Sequence, residues 1–130
     1  MRMLIASTAL VFGFATGLAP RLTQAAPDTF NVAFNVERID AAKLSIDRCA
    51  EIAQQEAGDQ GYSYSVNRTP GKLMVVSGGP AQGGASLLVY CIAVDNKTAY
   101  VVQGIDYQRQ KGSAGRLADR IHEALLEASK

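Results

Sequence analysis

The turn sequences between residues 62 and 105 constrain the fold more than any other feature of the chain. Pro70 and Gly71 suit a type II turn, because Pro fixes φ at the second position and Gly supplies the positive φ needed at the third. Asp95 and Asn96 begin a second tight turn. Strands joined by short connections usually pair, so this region predicts an antiparallel meander. Its predicted strands span residues 62–66, 73–77, 87–94 and 98–105.

The segments on either side of the meander add a strand and two helices. Residues 30–37 alternate apolar with small or polar side chains, which is typical of a half-buried strand. Residues 41–57 predict a helix, with Asp40 as its N-cap and Gly58 ending it, and Ser113 caps a second helix. Each helix has a single apolar stripe. The stripes consist of Ala42, Ile46, Cys49, Ile52 and Ala53 in the first helix and of Leu117, Ile121, Ala124, Leu125 and Ala128 in the second.

These elements predict an α+β fold in the order β-α-β-β-β-β-α. Both helices cover one face of a mainly antiparallel five-stranded sheet, which makes a two-layer sandwich. Residues 87–94 would place apolar side chains on both faces of the strand, so this strand is expected near the centre of the sheet. The pattern leaves the position of the first strand in the sheet open.

The N-terminus predicts export. Arg2 precedes an uncharged apolar run, residues 4–18, that is shorter than the ~20 residues a membrane-spanning helix needs. Small residues before Ala26 favour cleavage between Ala25 and Ala26, so residues 1–25 are the predicted signal peptide and residues 26–130 a single domain. The alternative is an uncleaved N-terminal anchor.

The charge balance gives no reason to expect nucleic acid as a partner. Arg2 and Arg21 fall in the predicted signal peptide and account for two of the 13 basic residues, against 12 acidic ones. The mature domain is therefore close to neutral, whereas nucleic-acid-binding domains and domains that bind anionic membranes are usually basic.

The two cysteines are expected to form a disulfide bond once the chain is exported. Cys49 lies on the apolar stripe of the first helix, and Cys91 shares a strand face with Leu87 and Val89, so both sulfur atoms can meet inside the core. The alternatives are two buried free thiols or a metal pair, for which His122 is the single histidine partner. We expect no metal and no cofactor.

Glycines supply the first candidate binding site. Residues 78–85 read as a glycine-rich connection between strands, and Gly78, Gly79, Gly83 and Gly84 are its candidate ligand-contacting residues. The segment has no Lys and precedes a strand, so it is not a phosphate-binding loop. A flexible hairpin loop without a ligand is the alternative.

Basic residues at the entry to the last helix supply the second candidate. Lys111, Ser113, Arg116 and Arg120 surround a helix N-terminus, where free backbone N–H groups favour an anion. The alternative is that Ser113 only caps the helix while the charged side chains, together with Arg109, stay in water.

No catalytic residues are assigned. His122 lies beside the apolar stripe of its helix and reads as a solvated histidine, and Asp95 and Asp106 flank opposite ends of the last strand, too far apart for an acid–base pair. The tyrosines are strand formers first, although those on the sheet face turned away from the helices would form an aromatic surface suited to binding a partner.

Several strings resemble an uncharacterised family of small exported bacterial proteins. They are Val75-Val76-Ser77-Gly78-Gly79-Pro80, Gly83-Gly84-Ala85-Ser86, Cys91-Ile92-Ala93-Val94-Asp95 and Val102-Gln103-Gly104-Ile105-Asp106-Tyr107. The resemblance covers most of the mature chain and implies a bacterial source and a location in the cell envelope. It implies no activity and assigns no functional residue.

The sequence favours a periplasmic or secreted, non-enzymatic domain that binds a protein partner or a small, anionic ligand. The reason is that a well-patterned domain expected to contain a disulfide lacks a catalytic constellation. The alternatives are a small envelope enzyme without a recognisable motif and an accessory subunit of an envelope complex. No stable membrane span is expected after processing.

Overall fold

The computed structural model describes residues 29–130 and the single position 17, so the predicted signal peptide and its cleavage site lie outside the described residues. The element order is β-α-β-β-β-β-α, which confirms the predicted α+β fold. The elements are β1 (Asn31–Asp40), α1 (Ile46–Asp59), β2 (Tyr62–Thr69), β3 (Leu73–Pro80), β4 (Ala85–Val94), β5 (Lys97–Asp106) and α2 (Ser113–Ala128).

The five strands form one antiparallel sheet in the order β1-β5-β4-β3-β2. β4 is the central strand, as predicted from the apolar residues on both of its faces. β1 lies at an edge and pairs with β5 along its whole length, from Asn31 opposite Asp106 to Asp40 opposite Lys97. β2 forms the other edge.

The core lies between the two helices and one face of the sheet. α1 contacts β2, β3 and β4, whereas α2 contacts β1, β5 and β4. Cys49 of α1 and Cys91 of β4 form a disulfide bond with a Cα–Cα distance of 6.1 Å, and both are completely buried. The predicted covalent link between the first helix and the central strand is therefore confirmed.

The first helix begins later than predicted. Residues 41–44 form a turn instead of the first helical turn, because β1 continues to Asp40 and Leu44 is drawn into the core. The Thr98 hydroxyl donates a hydrogen bond to the Leu44 carbonyl oxygen at 2.5 Å. The N-cap is Ser45, whose hydroxyl accepts from the Arg48 backbone N–H at 3.1 Å, and not Asp40.

The glycine-rich connection is also shorter than predicted, because Gly78 and Gly79 belong to β3. A Cβ atom on Gly78 would lie 2.2 Å from the backbone oxygen of Ser63 in β2, so a side chain there would prevent the strands from pairing. Gly83 and Gly84 lie in the turn between β3 and β4 and have positive φ angles of 73° and 81°.

Candidate functional site

β1 carries most of its large apolar side chains on the side of the sheet that faces solvent. Phe34 is 65% exposed and Val36 is 58% exposed, and Val32 lies on the same side. The other side of the strand faces the helices and is mainly small or polar, with Ile39 as the one large apolar residue that packs against the core. There the Asn35 side-chain amide donates to the Asp119 carboxylate at 3.3 Å. An alternating strand normally buries its apolar parity, so the orientation of β1 is opposite to what its sequence alone suggests.

The close approach of α2 to the sheet explains this orientation. Gly104 of β5 lies directly beneath the start of α2, and a Cβ atom there would lie 2.1 Å from the Ala114 backbone oxygen. Ala33 is the partner of Gly104 in β1. At this point β1 carries the small residue Ala33 toward the helix, and Phe34 and Val36 point to the other side of the sheet.

The apolar side of β1 continues across three further strands. Phe34 lies opposite Gln103 of β5, which in turn lies opposite Leu88 of β4. The next row of paired residues across the sheet consists of Val36, Val101, Tyr90 and Val75. We call this surface the open sheet face. It consists of Val32, Phe34, Val36, Ala99, Val101, Ile105, Leu88, Tyr90, Ile92, Leu73 and Val75. Both helices pack on the opposite side of the sheet, so within residues 29–130 this face is uncovered.

Within residues 29–130, the charged side chains of the open sheet face lie at one of its ends. Arg38 is exposed at the end of β1, and the Lys97 ammonium forms an ion pair with the Asp40 carboxylate. The hydrogen bond and the charge of Lys97 lower the pKa of Asp40. The side chains of β2 on this face are polar. Among them, the Ser65 hydroxyl lies 3.2 Å from the hydroxyl of Ser77 in β3. The middle of the face is uncharged.

The tyrosines contribute less to this face than expected. Tyr90 lies on it, and Tyr107 lies at its margin with its hydroxyl 3.0 Å from that of Ser86. Tyr62 and Tyr100 are buried in the core, and Tyr64 lies on the helix side of β2. The exposed surface is thus mostly aliphatic, and Phe34 is its most exposed aromatic residue.

The predicted anion site at the start of α2 already contains a carboxylate from the chain itself. Asp106, which is only 2% exposed, accepts hydrogen bonds from the backbone N–H groups of Gly112 (2.7 Å), Ala114 (3.0 Å) and Gly115 (2.9 Å). Ser113 is the first residue of the helix and not its cap, and its hydroxyl lies 2.7 Å from that of Tyr62. Asp106 is therefore the capping group that the sequence interpretation missed.

The basic residues of that predicted site do not converge on one point. The Lys111 ammonium binds the Asp119 carboxylate at 2.6 Å, and the Arg116 guanidinium reaches back to the Lys111 carbonyl oxygen at 3.5 Å. Arg120 is exposed on α2. The anion site stays a prediction, and an added anion would have to compete with the Asp106 carboxylate for the same N–H groups.

His122 is half-buried and not solvated as predicted, because it packs against Tyr100. The Tyr100 hydroxyl lies 2.8 Å from His122 Nδ1, and the two rings meet edge to face. Burial, followed by the charge of Glu37, raises the pKa of Tyr100 to about 12. A phenol with this pKa stays protonated at neutral pH, so the pair forms a partly buried hydrogen bond and Tyr100 is not an activated nucleophile.

The remaining features of the described residues offer little for catalysis. A shallow groove of about 320 Å³ lies between α1 and α2 and is lined by Arg48, Ile52, Glu56, Glu127 and other residues. Among residues 29–130, His, Cys, Asp and Glu do not form a group of three that would hold a metal ion. In the same part of the chain, neither helix is long and apolar enough to span a membrane.

Fold and surface together define a class: a small α+β domain, closed by a helix-to-sheet disulfide, with one sheet face covered by helices and the other open. A family model described as a family of unknown function (DUF6180) matches residues 29–130, and the chain belongs to that family. No curated protein matches the chain significantly. The resemblance predicted from the sequence is confirmed as membership of a family of unknown function, whereas its bacterial and exported aspects stay predictions.

Proposed function

We infer that the protein is a non-enzymatic binding domain of the periplasm or the extracellular space, and that its open sheet face contacts a protein partner. The observation that supports this proposal is the exposure of Phe34 and Val36 at the edge of an uncharged, mainly apolar surface. Large apolar patches on small proteins usually mark sites of interaction, because leaving them in contact with water is unfavourable.

The shape of this surface favours a protein over a small ligand. Small-molecule sites are usually concave and enclose most of the ligand, whereas the open sheet face is the outer side of a twisted sheet. Its centre is uncharged and mainly apolar, with Gln103 as its polar residue. Its borders carry polar side chains such as Ser65 and Asn67 on β2 and charged ones such as Arg38 on β1. An apolar centre with a polar rim is the usual anatomy of a protein–protein interface.

The disulfide bond supports a location outside the cytoplasm. Reducing conditions in the cytoplasm disfavour such bonds, whereas exported domains commonly depend on them. Together with the N-terminal sequence pattern, the buried link between Cys49 and Cys91 supports export before the domain completes folding. Intact-mass measurement of the exported protein checks this directly, since the proposal expects a chain that begins at Ala26.

A matched pair of variants tests the proposed surface. Phe34→Thr removes the most exposed aromatic side chain of the open sheet face, whereas Tyr64→Thr removes an aromatic side chain that is 44% exposed on the helix side of the other edge strand. Threonine preserves strand propensity at both positions. Chemical cross-linking in intact envelopes, followed by purification under denaturing conditions, should give adducts with wild type and Tyr64→Thr and fewer with Phe34→Thr. Equal adducts from all three proteins would refute the assignment of the surface.

A further inference from the structure

We propose that the partner covering the open sheet face is a second copy of the same chain. The inference rests on the proposed function, because it names the occupant of the same surface. Two copies would pack sheet against sheet, with the helices of each copy on the outside. The product is a four-layer dimer in the order helices, sheet, sheet, helices.

The size of the face matches what a stable dimer needs. Strands are spaced by about 4.8 Å, and three strands about 33 Å long with two about 26 Å long give a face of about 730 Å². A specific protein–protein interface of standard size buries about 800 Å² on each partner. The face-to-face arrangement uses this surface almost completely, since two sheets pack about 10 Å apart with interdigitated side chains.

The chemistry of the face suits a copy of itself. The uncharged middle, with Val101, Leu88 and Tyr90, has no charge to recognise a charged partner and none to repel an identical one. Interfaces in homodimers are more apolar than those of transient complexes. A self-complementary two-fold interface needs only that apolar positions meet apolar positions.

A two-fold axis running across the strands satisfies this condition. It stacks β1 on β1 of the second copy and reverses the strand direction, so the apolar columns from β1 to β3 coincide and the polar β2 columns meet at the rim. The same operation carries Arg38 and the Asp40–Lys97 pair to the opposite end of the partner's face. Like charges of the two copies are thereby kept apart.

The test uses the full chain, purified in whichever processed form it takes, with the protomer mass fixed by mass spectrometry. Sedimentation equilibrium over a wide concentration range should give twice the protomer mass, with dissociation on dilution. Phe34→Thr should weaken the dimer about 100-fold or more, because each copy loses one side chain and a buried aromatic anchor contributes about tenfold or more. Tyr64→Thr should dimerise like wild type.

A second variant, Leu88→Lys, tests the same interface independently of Phe34. Leu88→Lys places a charge at the middle of the face, where water solvates it in a monomer but where a dimer would bury it twice. It should be a folded monomer with the native disulfide and an unchanged far-ultraviolet circular dichroism spectrum. In wild type, isotope-filtered nuclear Overhauser effects from mixed-labelled samples should connect Phe34, Val101 and Tyr90 of different copies.

Two results would overturn the proposal. A monomer at every concentration excludes the second copy but leaves the proposed binding function to the envelope cross-linking experiment, which then should find a different protein on the same face. A dimer that resists both Phe34→Thr and Leu88→Lys means that copies meet elsewhere, for example along the strand edges. If that cross-linking also fails to depend on Phe34, the proposed function fails as well.

Discussion

The Asp106 carboxylate supplies the acceptor that the start of α2 requires, and replacing it should strongly destabilise the domain. Asp106→Ala leaves three backbone N–H groups, those of Gly112, Ala114 and Gly115, without their acceptor in a buried place. Each unsatisfied buried donor costs about 1–3 kcal/mol, so three of them predict a loss of about 3–9 kcal/mol. Small domains have a total stability of about 5–15 kcal/mol, so this loss approaches complete unfolding.

Asp106→Asn separates the charge from the shape of the side chain. The asparagine oxygen can accept from part of the N–H cluster, but its NH₂ group is a donor and faces further donors. The favourable interaction between a carboxylate and the helix N-terminus is also lost. We expect a decrease of about 2–4 kcal/mol in the free energy of unfolding, since hydrogen bonds to charged groups contribute about 1.5–3 kcal/mol each.

Urea denaturation followed by circular dichroism measures these changes. Asp95→Asn is the matched control, because Asp95 lies in an exposed turn at a φ angle of 50°, a conformation that asparagine tolerates well. The control should remain within about 0.5 kcal/mol of wild type. An Asp106→Asn variant as stable as the control would show that the helix start does not need this carboxylate.

A small external anion should partly replace the missing carboxylate. In Asp106→Ala, formate is expected to raise the unfolding midpoint in a saturable manner, because it can occupy the vacated position at the helix N-terminus. Chloride at equal ionic strength controls for general salt effects. Stabilisation of wild type by formate to the same degree would instead indicate a separate anion site, in agreement with the sequence interpretation of Lys111 and Arg116.

Three further predictions test the core. Replacing both Cys49 and Cys91 by Ser should lower the free energy of unfolding by about 4 kcal/mol, according to the loop-entropy relation for a sequence separation of 42. Equal urea midpoints for the variant and the oxidised wild type would contradict this. Burial raises the pKa of Tyr100 from its ordinary value of 10.0 to about 12, so its contribution to stability is complete below pH 10 and is lost as the pH rises to about 12. Tyr100→Phe should flatten that part of the curve of unfolding free energy against pH, and an unchanged curve would refute the contribution. Gly78→Ala should prevent normal strand pairing, because the new Cβ atom would lie 2.2 Å from a backbone oxygen. Gly58→Ala in α1, where the nearest contact of a Cβ atom is an ordinary 3.7 Å, should raise the free energy of unfolding by up to about 1 kcal/mol. Comparable urea midpoints for both variants would contradict this geometric argument.

Local sequence signals were sufficient for the meander. Gly71 has the positive φ angle of 69° that the predicted turn requires, and Asp95 and Asn96 have positive φ angles as well. The disulfide followed from two periodicities at once, because Cys49 lies on a helical stripe and Cys91 on a buried strand parity. In each case the information lies within a few neighbouring residues, or in the pairing of two well-defined faces.

Other features depend on contacts that local patterns do not contain. α1 starts at Ile46 and not at residue 41, because Leu44 is buried and its carbonyl oxygen accepts a hydrogen bond from Thr98 of β5, which is distant in sequence. The role of Asp106 did leave a local signal: no side chain caps α2 from the N-cap position, Gly112, so its N–H groups needed another acceptor. The sequence interpretation assigned that role to Ser113, which instead lies 2.7 Å from Tyr62 through its hydroxyl group.

The orientation of β1 joins the folding argument to the functional one. Strict alternation indicates that two sides of a strand differ, but it does not say which side faces the helices. Here α2 approaches the sheet closely at Gly104, whose partner in β1 is the small residue Ala33, so the side of β1 with Ala33 faces the helix. Folding of a single chain would be served equally well by polar residues at the exposed positions of Phe34 and Val36. Their apolar character therefore contributes nothing to the packing of the described domain, whereas the proposed interface would bury it.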